Sequence, residues 1–264
     1  MRRERVAVLV VGLAVVLAGC QVLPVDDSAD DGPTATSTAE PEGTPALADV
    51  TMPPGVDESG VHDSDALLSA HAAALEDEST TVGIDFQLTI DGEGDRVALE
   101  GKTVPEGDRG WMHVDLREGV GEYYTEGDTT YEKVTADGTT RYSTTDEVSA
   151  IPDQPRFGAD NRIEDAIAAG NWTATGVTDH DETTLIHFEA VEIEIPVVDD
   201  PDATVEAYGQ LLIDEYGVVH HAEIYTEVEA DGETVAYGIE VTVSEAGTTT
   251  VEEPDWTELA QPGG

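Results

Sequence analysis

Val82-Gly83-Ile84-Asp85-Phe86-Gln87-Leu88-Thr89-Ile90 sets an apolar side chain at every second position, and Asp91-Gly92 follows at once. In an extended chain successive side chains point to opposite faces. The stretch therefore reads as a strand with one buried and one polar side, closed by a two-residue reversal. Val97, Leu99 and Gly101 carry the alternation back, which makes a hairpin. The same pattern recurs outward. Strands are predicted over 111–116, 120–125, 130–135 and 139–143, with Glu126-Gly127 and Asp137-Gly138 at the reversals. Further strands are predicted over 183–195, 204–213, 218–229 and 234–244, with Asp231-Gly232 between the last two. Strands joined by tight turns pair antiparallel, and neighbours in sequence become neighbours in space.

Two helices punctuate this plan. Asp63 or Ser64 can cap the first, running to about Glu78, with Leu67, Leu68, His71 and Leu75 on one stripe at spacings of three and four. His71 within that stripe reads as a buried, hydrogen-bonded histidine. The second is predicted over 161–169. Asn161 and Glu164 resemble a capping box, Ile163, Ala166 and Ile167 share a face, and Gly170 closes the end. Trp256 is expected to dock on the body. The fold class is α+β, mainly β: one large curved antiparallel sheet, half-barrel-like, with two helices on one side and a single domain over 61–264. Two helices cover little of so many strands, so one face is expected to curve round a cavity. Its candidate lining is Phe86, Leu88, Trp111, Tyr124, Phe188, Tyr225 and Tyr237.

Upstream of the strands the chain changes character. Met1-Arg2-Arg3-Glu4-Arg5 precedes an apolar and small run from Val6 to Gly19, and then Cys20. Fourteen residues at 1.5 Å each make a helix of ~21 Å, short of the ~30 Å hydrocarbon core, so residues 1–19 read as a signal peptide and not as a spanning helix. Leu17-Ala18-Gly19-Cys20 resembles the lipobox of prokaryotic lipoproteins. That resemblance implies cleavage before Cys20 and a diacylglyceryl group on its sulfur. Two acyl chains hold a protein on a membrane where one lets it exchange. Cys20 is the sole cysteine, so no internal disulfide forms. From Gln21 to Gly60 the chain is rich in Pro, Thr, Ser and acid and holds no Lys or Arg. Residues 20–60 thus read as anchor and tether, with a reach of ~35 Å.

The 58 Asp and Glu against 11 Lys and Arg give a formal charge of −47. Such a charge strains a compact body at ordinary ionic strength, whereas at ~1 M salt the Debye length falls to ~3 Å. The composition reads as that of an extreme halophile. It excludes nucleic acid as a partner, because a polyanion needs a basic surface and Lys102 and Lys133 are the only lysines.

So many carboxylates make a catalytic acid pair unrecognisable. Asp91-Gly92-Glu93-Gly94-Asp95 begins like a calcium loop, but Arg96 and Lys102 stand where that loop needs Gly and Glu, so it reads as a solvated turn. His220 and His221 are adjacent in a predicted strand and point to opposite faces, so they cannot share one metal. No nucleophile elbow, zinc-protease motif or phosphate loop occurs. No metal, cofactor or catalytic residue is expected. Asn171-Trp172-Thr173 is a sequon that makes Asn171 a candidate N-glycosylation site.

The leader ending in Cys20, the acidic tether, the helix holding Leu67–Leu75, the antiparallel hairpins and the closing Pro254-Asp255-Trp256 together resemble uncharacterised haloarchaeal surface lipoproteins. More remotely, the element order from about Asp63 to Trp256 is similar to that of the half-barrel lipoprotein carriers, which include the lipoprotein-localisation chaperones and the mycobacterial lipid-transfer lipoproteins. The resemblance implies a non-enzymatic protein, held on the extracytoplasmic face of the cell membrane through Cys20, that carries an apolar small molecule or lipid. The alternatives are an envelope interaction module with a solid core and a solute receptor for a transporter.

Overall fold

The structure is a computed structural model that describes residues 46–105, 109–145, 159–180, 183–193, 204–230 and 232–260. The decisive stretch forms β3 (Thr80–Ile90), whose even-numbered residues Thr80 to Phe86 are buried while the odd ones are half-exposed. Asp91 and Gly92, both with positive φ, turn it into β4 (Glu93–Val104), as the Asp-Gly pair requires. A meander continues through β5 (Arg109–Leu116), β6 (Gly119–Glu126), β7 (Thr129–Ala136) and β8 (Thr139–Thr145). A second meander comprises β9 (Gly170–His180), β10 (Thr183–Ile193), β11 (Thr204–Asp214), β12 (Val219–Ala230) and β13 (Glu233–Ser244).

The two meanders fuse where β3 pairs with β13, in the order β8-β7-β6-β5-β4-β3-β13-β12-β11-β10-β9. The result is one antiparallel sheet of 11 strands, open at β8 and β9, in agreement with the expected half-barrel-like architecture. A hairpin of β1 (Val56–Asp57) and β2 (Gly60–Val61) stands apart. It lies against β9 so closely that a side chain at Gly60 would sit 1.6 Å from the Trp172 carbonyl oxygen. The body therefore begins before the expected boundary near Gly60: a 3-10 turn spans Leu47–Asp49, and Val56 is buried.

Helix α1 (Ser64–Ala74) starts where Asp63 accepts a hydrogen bond from the Ala66 N–H at 3.0 Å. It ends at Ala74, short of the expected Glu78. Leu67, His71 and Leu75 are buried, while Leu68 is half-buried. Helix α2 (Ala159–Ala169) begins two residues before Asn161, so Asn161 lies inside the helix and is not its cap. Ile163, Ala166 and Ile167 are buried as their spacing predicts. Gly170 does not end in a turn but opens β9, a strand that sequence reading missed. Its period breaks at register shifts opposite His187/Phe188 and Ala190/Glu192, which hides the alternation.

The helices pack on each other and α2 packs on β9, β12 and β13, with Leu67, Ile163, Phe188, Leu211, Ile224 and Ile239 in one core. His71 ties α1 to the sheet. Its Nδ1 accepts from the Val219 N–H at 3.1 Å, which leaves the ring proton on Nε2, 3.5 Å from Asp160 Oδ1 on α2. Asp214 is also buried, and accepts from the N–H groups of Tyr216 and Val218 and pairs with His220.

After β13 the chain crosses the opposite face of the sheet. Thr249 meets Thr81 at 2.9 Å, Arg109 donates to the Val251 carbonyl, and Trp256 Nε1 donates to Glu122 at 3.0 Å. A third, short helix, α3 (Thr257–Ala260), which the sequence reading did not include, ends this strap beside β7 and β8. Trp256 thus docks as expected.

Leu67, with no exposed surface, should lose about 2–5 kcal/mol of stability on replacement by Ala. Val205→Ala, on an exposed strand position, should change it by less than about 0.5 kcal/mol. Denaturant melts at molar salt measure both.

Candidate functional site

Unbroken ladders from β3 to β8 and from β3 to β12 assign each side chain to a face. The helix face takes Val82, Ile84, Phe86 and Leu88 of β3, opposite Val243, Val241, Ile239 and Tyr237 of β13. It continues through Val97 and Leu99 of β4, Met112 and Val114 of β5, Tyr123 of β6 and Val134 of β7. Phe188 joins it from β10, opposite Leu211. Of the seven candidate cavity residues, Phe86, Leu88, Phe188 and Tyr237 share this face. Trp111, Tyr124 and Tyr225 fall on the other, so the seven do not line one cavity. The physical reason is parity: one residue of offset along a strand reverses the side chain, and aromatic character carries no information about face.

On the opposite face each of the three has other partners. Trp111 stacks on His113 with centroids 6.1 Å apart and lies under Lys102 Nζ. Tyr124 is 1% exposed beside Tyr131, and burial, then the charges of Glu126 and Glu253, push its phenol up. Tyr225 stacks on Tyr208 at 5.3 Å and donates to Glu227.

The helix face divides into two zones. One is the core beneath α1 and α2. The other is a satellite cluster in the β4–β6 wing, where buried Met112 packs with half-buried Leu99, Val114 and Tyr123. Leu99 also touches the main core and joins the zones. The Tyr123 ring lies over Gly121, where an added Cβ would come within 2.8 Å of it. Outward from this lane, Leu116 at 47% and Val134 at 38% are exposed apolar side chains on the same face. These residues were missed as a set, although their parity relative to Val82–Ile90 was available once the hairpin turns were counted.

The opposite face carries the acid. Glu223, Glu240 and Asp85 stand side by side on β12, β13 and β3. Like charges placed directly across strands repel. His221 stands between the first two, 3.7 Å from Glu223 and 3.5 Å from Glu240, and Arg96 grips Asp85 through two bonds of 3.0 and 2.6 Å. Tyr208 donates to Glu223 at 2.9 Å, and burial followed by that bond pushes its own phenol up to about 12. A hollow of about 320 Å³ adjoins this cluster, lined by Gly83, Asp85, Ala98, Glu100, His113 and Glu240 among others. Among the described residues, no three His, Cys, Asp or Glu side chains come together to hold a metal ion.

His220 and His221 do go to different partners, Asp214 and the glutamate pair. Asn171 is exposed but sits within β9, and its Nδ2 donates to Glu192 at 3.1 Å, a bond that a glycan there must replace. Leu17, Ala18, Gly19 and Cys20 lie outside the described residues. No described helix is long and apolar enough to cross a membrane.

Burial first, with Glu223 and Asp85 adding, raises Glu240 above the ordinary 4.5, against the pull of His221. The His221 hydrogen bond first, then Tyr208, lowers Glu223 despite its burial. A raised carboxyl favours its protonated form in the fold, so its stabilisation is complete below ~4.5 and is lost as pH rises through the raised value. Glu240→Gln should therefore raise the thermal midpoint near neutrality, with a gain that fades as pH falls through ~4.5. Glu223 has the opposite sign: its contribution is present above ~4.5 and lost as pH falls through its lowered value. Glu223→Gln should accordingly lower the midpoint near neutrality, and the deficit should shrink in acid. Melts at fixed molar salt across this range check both signs.

Two solved structures show a distant likeness. LprF from Mycobacterium bovis matches at 13% identity and a TM-score of 0.35, covering 71% of this chain and 94% of that one. A DUF1329 family protein from Desulfovibrio piger matches at 9% and 0.24, covering 75% and 98%. Scores of this size transfer no residue role. No curated protein matches the chain. A family model does match, over residues 5–260, nearly the whole sequence. The chain belongs to the DUF7537 family, a family of unknown function.

Proposed function

We propose that this protein is a lipid-anchored, extracytoplasmic binding protein, without catalytic activity, that holds an apolar molecule on the helix face of its sheet. The observation that carries the reading is the satellite lane of Leu99, Met112, Val114 and Tyr123. It adjoins the core but lies in the wing of the sheet beside the strands that α2 covers. Apolar area left at a surface is favourable to cover, by about 25 cal/mol for each Å² removed from water. The anchor comes from the leader and Cys20, whose sequence context supports export and acylation.

A second reading, an envelope interaction module with a solid core, is favoured by the surface hollows. Those formed by Gly92–Gly94 with Arg96 and Arg117 and by the β5–β6 and β7–β8 turns are lined largely by polar groups and glycine, and neither includes Leu99, Met112, Val114 or Tyr123.

The test is purification from the native host at high salt, followed by organic extraction. Near one apolar molecule per chain is expected, and recovery of none would leave the interaction module as the better reading. In a parallel measurement, Cys20→Ser should move the protein from the membrane fraction to the soluble one. Retention on the membrane would remove the anchor.

A further inference from the structure

Arg141 stands apart among the described lysines and arginines of a chain with 58 carboxylates. Arg96 pairs with Asp85, Lys102 with Glu100, Arg117 with Asp95, Lys133 with Glu122 and Arg162 with Asp165. Arg109 donates to the Val251 carbonyl beneath the strap. Arg141, exposed on edge strand β8, makes no ion pair among the described residues. Residues 138–145 contain no acid.

Register places this cation at the end of the lane. Leu99 is opposite Val114, Val114 opposite Gly121, Gly121 opposite Val134, and Val134 opposite Arg141. Strands ~4.8 Å apart make that row ~19 Å long over its four steps, apolar or glycine until the guanidinium. The acid of the same face nearby in the ladder, Glu132, is engaged by the Ser143 hydroxyl at 2.8 Å. Elsewhere on the helix face the strand acids Glu93, Asp95 and Glu233 sit at hairpin ends. The strand acids Asp85, Glu100, Asp115, Glu122, Glu223 and Glu240 point to the other side.

Resting on the apolar lane of the proposed function, we propose that Arg141 is its headgroup site and that the ligand class is an anionic amphiphile. The tail would lie along Leu99, Val114, the Tyr123 ring that covers Gly121, and Val134, and a carboxylate or phosphate would meet the planar fork of Arg141, whose geometry suits both. A neutral apolar ligand gains nothing from a lone guanidinium at the row's end. An anionic head gains a charge-assisted hydrogen bond where the rest of the chain repels it.

The experiment uses the full chain in its native membranes, irradiated with three diazirine probes of equal tail length: a fatty acid, an alkyl phosphate and an alcohol. Adducts are mapped by mass spectrometry. One or both anionic probes should label the β4–β7 peptides more than the alcohol does, and the stronger one identifies the head. Arg141→Ala should weaken anionic labelling about tenfold and leave the alcohol unchanged, with Arg141→Lys intermediate. Arg141 is an exposed edge residue, so the variants should keep the wild-type circular dichroism spectrum. Equal labelling of the lane by all three probes in both chains would overturn the headgroup assignment and leave the lane standing. Absence of lane adducts with any probe would overturn the lane itself, and this inference with it.

Discussion

The pairing of β3 with β13 is the joint on which the architecture depends. Every other ladder in the large sheet joins strands adjacent in sequence, so each meander needs only local turns. The β3–β13 ladder joins residues some 150 positions apart, and it does so in ten consecutive partner pairs without a register shift. Closing so long a loop is entropically unfavourable before any contact forms. What offsets it is the continuous apolar strip of Val82, Ile84, Phe86 and Leu88 against Val243, Val241, Ile239 and Tyr237, roofed in part by α2. Slippage by one residue would send that strip to the acidic side and Asp85 and Glu240 into the core. Register is therefore specified twice, once by burial and once by charge.

This division explains how a chain of formal charge −47 keeps a packed interior. Strand alternation sorts most of the acids: Asp85, Glu100, Glu122, Glu223 and Glu240 go to the face crossed by the C-terminal strap, while the helix face keeps few, Glu132 among them. The sorting concentrates repulsion in the row of Glu223, Glu240 and Asp85. There the fold inserts His221, Arg96 and the Tyr208 hydroxyl instead of spacing the charges apart. Molar salt would weaken what repulsion is left between exposed acids more than that between half-buried ones.

Much of this was legible because period-2 alternation and Asp-Gly turns are local signals. The strand from Val82 to Ile90, its hairpin to β4, both helices and the one-sheet architecture follow from them. Three features were not. Strand β9 was hidden because its bulges break the period and because Gly170 is equally good as a helix stop. The body's start before Gly60 was hidden because Pro-rich, acidic composition describes a tether as well as the small β1–β2 hairpin. The lining set failed for a different reason. Tyr124, Trp111 and Tyr225 were chosen for being aromatic, whereas membership of a face depends on parity carried through every intervening turn. Counting from Phe86 through each hairpin puts Tyr123, and not Tyr124, on the helix face.

The same count exposes an asymmetry between the two wings. After Arg162 the sequence contains no Lys or Arg, so the strands β9 to β13 hold histidine as their only basic side chain. Every cation of the described sheet lies in β4 to β8 or in the turns that join them. On the face of the strap these cations answer carboxylates or the Val251 carbonyl, and they knit the wing that lies away from α1 and α2. On the helix face the wing offers glycine, aliphatic side chains, Met112, Tyr123, a Glu132 engaged by Ser143, and the Arg141 guanidinium, which has no ion pair among the described residues. A wing stabilised from behind by ion pairs and a strap can leave its front apolar without a helix to cover it. That arrangement is what the binding surface proposed above requires.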